Sequence, residues 1–254
     1  MTLDQELAEP IDPAEVLAAT HWGAVEHAYG PADNVPEMLI GLLGADQHVR
    51  SRALDDLHHI VHHQNTLYTA TAPAALYVAG ILGDERTLWP VDKGPHGFPG
   101  PMRAELLGWL DSVANDADDE AAEFSRRFGF PPEDYPPFIE ICRIRPQLFR
   151  AVSAFLHDSD SHVRAAAVSA CIPLLDDPRL LHHRVTLIPL LREVLAASEV
   201  WQYQERAIEA LASWGEDTAG LQIRRERFAF CDSEVKPAPW VGEQWGGCDT
   251  DPPF

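Results

Sequence analysis

Four stretches of the chain repeat one pattern: "HVRSRALDDLHHIV" from His48, "PMRAELLGWLDSV" from Pro101, "HVRAAAVSACIPLL" from His162 and "YQERAIEALASW" from Tyr203. In each, a small or leucine residue precedes another apolar residue by four positions. The pairs are Ala53 and Leu57, Leu106 and Leu110, Ala167 and Cys171, Ala207 and Leu211. That spacing places both members on one stripe of a helix. A second helix-period segment precedes each copy: "VPEMLIGLL" from Val35, "APAALYVAGIL" from Ala72, "FIEICRIRPQLFRAVSAFL" from Phe138 and "HRVTLIPLLREVLAA" from His183. Two short helices do not bury their apolar faces alone, so the pattern constrains the chain to helical hairpins stacked on one continuous core.

Arginine stands three residues before the first member of the pair in three copies, as Arg50, Arg103 and Arg164. Aspartate-containing turns precede two copies, at Asp46 and at Asp158-Ser159-Asp160-Ser161, which is helix-capping chemistry. This "D…VR..A…L" pattern resembles HEAT and armadillo-type α-solenoids, and the resemblance implies structural, inter-repeat roles for the arginines. The interval from Ala167 to Ala207 is one period of about 40 residues, as in that class. Earlier intervals are longer because "VDKGPHGFPG" from Val91 and "NDADDEAAEFSRRFGFPPEDYPP" from Asn115 intrude. The expectation is an all-α, HEAT/armadillo-like solenoid of about four hairpins over residues 21–215. Residues 1–20 read as an acidic arm or helix, with Asp12 as N-cap and Pro13 at N1. Residues 216–254 read as an irregular cap, in which Trp240, Trp245 and Phe254 pack back or meet a partner.

The first quarter is more distinctive. Trp22, His27-Ala28-Tyr29-Gly30, the "VP" helix start, His63-Gln64, Tyr68 and Ala70-Thr71 resemble the opening of a group of bacterial, mainly actinobacterial, HEAT-repeat proteins. Those proteins carry W…HAYG and an HQG-like motif; the likeness covers about residues 21–85. Here Asn65 stands where the group has glycine, and asparagine tolerates the left-handed backbone a turn there requires.

Charge restricts the function. The 19 basic residues face 40 acidic ones, a formal net charge of -21, and no lysine or arginine precedes Arg50. Such a field repels nucleic-acid phosphate and anionic membrane and attracts a basic protein. Cys142, Cys171, Cys231 and Cys248 show no CxxC spacing, which suits a reducing compartment. "MTLDQELAEP" lacks the features of a signal peptide, and no run of about 18 apolar residues occurs. The expected location is cytoplasmic.

"LHHIVHHQ" from Leu57 sets His58 with His62 and His59 with His63 at i, i+4, a spacing able to hold zinc. Without CxxC, HExxH or an evident carboxylate partner, these histidines read as architecture, with His63-Gln64 ending the helix and bonding the turn toward Tyr68 and Thr71. Asp116, Asp118, Asp119, Glu120 and Glu123 lack the glycine and terminal glutamate of a calcium loop and read as a solvated helix start. No GxGxxG, P-loop, GxSxG or Cys-His arrangement appears, so neither cofactor nor metal is expected.

The resulting expectation is a non-enzymatic module that binds a basic protein. HEAT-type proteins of this size also occur as immunity proteins beside secreted toxins, so neutralisation of a nuclease-like toxin is the concrete version. A structural or regulatory adaptor is the alternative. A HEAT-like DNA glycosylase or lyase-type enzyme stands last, because those glycosylases bind DNA through a basic surface. The expected docking residues are Asp116, Asp118, Asp119 and Glu120, with Trp22, Tyr29 and Trp245 as aromatic anchors where exposed. Neutralising the four acids is expected to leave stability nearly unchanged.

Overall fold

The computed structural model describes residues 10–93 and 99–222. Every described residue belongs to one compact unit, which ends at residue 223. That unit is mostly helical. Its one pairing of strands among the described residues is a two-residue antiparallel ladder, β1 (Glu26–His27) with β2 (Gly30–Pro31).

A helix stands at every position where apolar spacing predicts one. The first members of the hairpins are α2 (Val35–Gly41), α4 (Thr71–Ile81), α7 (Pro136–Ser153) and α9 (Arg184–Ala197). The second members are α3 (Gln47–Asp56), α5 (Met102–Asn115), α8 (Ser161–Leu174) and α10 (Trp201–Ser213). Each first helix packs on its own second helix, α4 packs on α7, and α5 packs along α8, which in turn touches α10. Ahead of these, α1 (Pro13–Ala19) packs on α4. Within the second intruding segment lies a further helix, α6 (Asp119–Arg127).

Capping follows the sequence. Asp12 accepts from the Ala14 and Glu15 amides, Asp46 from His48, and Asp160 from His162 and Val163, each relieving amides that lack an intrahelical partner. One contiguous core runs from Trp22 to Leu211, built mainly of small residues and leucine. The small residues let the helices approach closely; at Gly41, for instance, an added Cβ would meet Ala53 Cβ at 3.2 Å.

The repeated arginines bind backbone carbonyls. Arg50 donates to Gly44, Ala45 and, across to the next hairpin, Pro90 at 2.7 Å. Arg103 donates to Thr87 Oγ1 and the Asp84 carbonyl and approaches Asp158 at 3.6 Å. Arg164 instead closes its own turn, through the Asp158 and Ser159 carbonyls.

The end of α3 departs from expectation. A π-helical turn, Leu57–Val61, follows it, and His62 leaves the helix at φ -137°. The two i, i+4 histidine pairs therefore do not share regular helical faces. Gln64 and Asn65 both take left-handed backbone, with φ of 51° and 56°. The turn is bonded by Thr71, whose hydroxyl donates to the Val61 carbonyl and accepts from the Tyr68 amide, and not by the side chains of His63 and Gln64.

The first residues of the expected cap are irregular and rest on the last hairpin: Glu216 pairs with Arg192 at 2.8 Å, and Leu221 packs on the core. Its remainder, with Trp240, Trp245, Phe254, Cys231 and Cys248, lies outside the described residues, as do His96 and residues 1–9 of the acidic arm. No helix among the described residues is long and apolar enough to cross a membrane.

Candidate functional site

The acidic segment after α5 does not present four carboxylates to solvent. Asp116 is the C-cap of α5, and its Oδ2 lies 2.6 Å from His62 Nε2. A carboxylate accepts only, so the imidazole donates. The His62 side chain is 2% exposed, so the pair joins the end of the first hairpin to the end of α5. Asp118 is the N-cap of α6, accepting from the Ala121 amide at 2.7 Å. Burial pushes its carboxyl up to about 6; the Ala121 bond opposes the rise and the nearby Asp176 adds to it. Asp119 and Glu120 are exposed, with the Asp119 amide donating to Asp176 Oδ2. Of the four expected docking acids, two hold structure and two face solvent. With Asp116 bonded to His62 and Asp118 capping α6, neutralising all four is no longer expected to leave stability nearly unchanged.

The aromatic anchors are redistributed as well. Trp22 is 7% exposed and donates its indole N–H to the Leu17 carbonyl, so it is a core residue and not a docking residue. Tyr29 is 69% exposed at the tip of the β1–β2 turn, its ring 5.6 Å from that of His63. The turn's geometry gives each residue from His27 to Gly30 a local role: Gly30 has φ 126°, His27 meets Asn34 Oδ1 at 3.0 Å, and the Ala28 amide donates to the Ile60 carbonyl in the π-helical turn. Trp245 is outside the described residues.

Sequence reasoning missed a cluster of exposed aromatic residues. Phe124, Phe128 and Phe130 are 63%, 59% and 75% exposed, and the first two rings lie 4.6 Å apart. Beside them Phe130, Pro131, Tyr135 and Phe138 line a cavity of about 520 Å³. The signal was present in "EFSRRFGF", where Phe124 and Phe128 sit at i, i+4. With Asp119 and Glu120 in its first turn, α6 thus joins exposed carboxylates to exposed aromatic rings.

A second constellation lies where α5, α8 and α10 meet. Asp111 Oδ1 accepts from Arg206 and Oδ2 from Ser169 Oγ, both at 2.6 Å, and Arg206 also donates to Asn115. Both carboxylate oxygens are occupied, so the cluster is suited to holding helices and not to abstracting a proton. Burial raises the thiol pKa of Cys171 and that of Cys142, disfavouring a thiolate nucleophile at either. Among the described residues no three His, Cys, Asp or Glu side chains converge as metal ligands.

No family model, curated protein or solved structure matches this chain.

Proposed function

We propose that the chain is a non-enzymatic, HEAT-type protein-binding module that docks a basic protein on α6 and the turn after it. The observation that carries this reading is the exposed aromatic patch of Phe124, Phe128 and Phe130 beside Asp119 and Glu120. Large exposed apolar patches rimmed by polar groups are characteristic of interaction surfaces, and desolvated aromatic side chains supply most of the energy of such contacts. The acidic rim, within a chain of net charge -21, accelerates encounter with a cationic partner by roughly 10–1000-fold at low salt. Tyr29 and His63 offer a second, smaller aromatic surface. Both oxygens of Asp111 are engaged in joining helices, through Arg206 and Ser169, which fits a binding role. Neutralisation of a basic toxin, and an adaptor role in the cytoplasm, both use this same surface.

The test is capture of basic proteins from native lysate, followed by kinetics on the captured species. Phe124→Ser with Phe128→Ser is expected to weaken binding by about 100-fold, in keeping with loss of roughly 3 kcal/mol of anchor energy. Asp119→Asn with Glu120→Gln should instead slow association and flatten its salt dependence. A partner that binds both variants like the wild type refutes docking at α6.

A further inference from the structure

The chain turns back sharply where α6 ends. The Phe130 amide donates to the Ser125 carbonyl at 2.9 Å and the Gly129 amide to the Arg126 carbonyl at 3.1 Å, with Gly129 at φ 82°. This pair of bonds around a left-handed glycine is a common helix stop, and the residue in the place of Phe130 frequently packs back on the helix's last turn. Here Phe130 is 75% exposed. Its ring instead lines the cavity of about 520 Å³, together with Asp134, Tyr135 and Phe138. That volume lies within the range of small-ligand sites.

The walls of this cavity are both accessible and held. Tyr135 is 40% exposed, and its hydroxyl donates to the Leu67 carbonyl, which fixes the ring. Phe138 rests on the core from within α7. Pro131, Pro132, Pro136 and Pro137 restrict the backbone on both sides of Tyr135. Asp134 is the charged member of the lining, and it is exposed. Its neighbour Glu133 is met by Arg126 at 3.5 Å, whereas Asp134 makes no ion pair with any described residue. Among the described residues no basic side chain lines the cavity. Ring faces carry partial negative charge, so open aromatic walls beside an unanswered carboxylate attract a cation.

We propose that this cavity takes an arginine side chain of the basic partner, its guanidinium stacked against Phe130 and Tyr135 and forked onto Asp134. The inference rests on docking at α6 and names the residue type that the partner inserts beside it. Two features favour arginine over lysine. A guanidinium is planar and weakly hydrated, so it stacks on rings and enters an apolar recess more readily than an ammonium. The Asp134 carboxylate, engaged by no described residue, also offers both oxygens to a bidentate fork.

The probe is the peptide acetyl-GGRGG-amide, titrated into the full chain and followed by NMR through the ring protons of Phe130, Tyr135 and Phe138. Saturable shifts are expected with a Kd of about 1 mM, the scale of a single well-placed side chain. The same peptide with lysine should bind roughly threefold more weakly. With citrulline, which keeps the shape and loses the charge, it should bind about tenfold more weakly. Asp134→Asn should raise the Kd of the arginine peptide about tenfold, with the melting temperature unaltered because the side chain is exposed. Equal binding of the citrulline peptide, an unchanged Kd in Asp134→Asn, or no saturation overturns the proposal. A partner captured from lysate separates the two readings. If Phe124→Ser with Phe128→Ser abolishes capture and Asp134→Asn leaves it unchanged, docking at α6 stands and the arginine cavity falls. If the arginine peptide saturates the cavity and the partner ignores the serine variant, the cavity's chemistry stands and docking at α6 falls.

Discussion

The α5–α8 pair and the segment around α6 adjoin in sequence but follow opposite rules. Between α5 and α8, polar groups are buried and answered: Asp111 is held by Arg206 and Ser169, and the Trp109 indole donates to the Leu57 carbonyl. Around α6, apolar groups stand in solvent, with Phe124, Phe128 and Phe130 uncovered. A buried polar group left unanswered costs about 1–3 kcal/mol, so every partner in the first region is dictated by folding. Exposed phenylalanines contribute little to folding, and their presence calls for a reason outside it. The contrast separates what builds the molecule from what is left for something else to meet.

The sharpest way to break this contrast is to truncate one aromatic residue from each region. Trp109 is fully buried, and Trp109→Ala is expected to cost about 3–5 kcal/mol in urea unfolding. Phe128→Ala should stay within about 0.5 kcal/mol of the wild type. Similar losses for both would mean that α6 belongs to the core and that the division is false.

A smaller effect is expected at the seam between the regions. His62→Ala leaves the Asp116 carboxylate without its donor, and should cost about 2–4 kcal/mol by the same measurement. His63→Ala, one residue on, loses only a ring contact with Tyr29 and should cost less than about 1 kcal/mol. Equal costs would remove His62–Asp116 as the joint.

The smallest effect is a pH profile. The folded-state pKa of Asp118, about 6, lies above its ordinary value of 3.8. Protonation therefore favours the fold. The contribution is present in full below the ordinary value and is lost as pH rises through about 6. Asp118→Asn keeps an oxygen at the cap and removes the titration. It should stabilise the protein by roughly 1–2 kcal/mol at pH 7.5 and by little at pH 4, read from urea midpoints. A variant whose gain is the same at both values would place the strain elsewhere.

The hairpin helices were legible in the sequence because apolar spacing is local: Ala53 with Leu57 and Ala167 with Cys171 announce a buried stripe without knowledge of the partner. The caps at Asp12, Asp46 and Asp160 were legible for the same reason. The joint was not. His62 and Asp116 are separated by 54 positions, and nothing near either predicts the π-helical turn that swings the imidazole out of register. Trp22 was misassigned because a tryptophan outside any periodic run gives no sign of which way it faces. The Phe124–Phe128 patch was legible in principle, but the acidic residues ahead of it drew the reading toward charge. Arg206 carried no signal, since its role depends on Asp111 and Asn115 arriving from another hairpin.

Both flanks of α6 are tied to one short stretch of the first hairpin. Asp116 reaches His62 on one side, and the Tyr135 hydroxyl donates to the Leu67 carbonyl on the other. Chain entering and leaving at two fixed posts, with a further tie from the Asp119 amide to Asp176, tolerates changes in length, because the entropy cost of closing a loop grows only slowly with the number of residues in it. The stretch from Asp119 to Asp134 therefore has the character of an exchangeable cassette. Its helix can be rewritten, or a foreign recognition element of matching end-to-end distance grafted in its place, while the hairpins beneath keep their register.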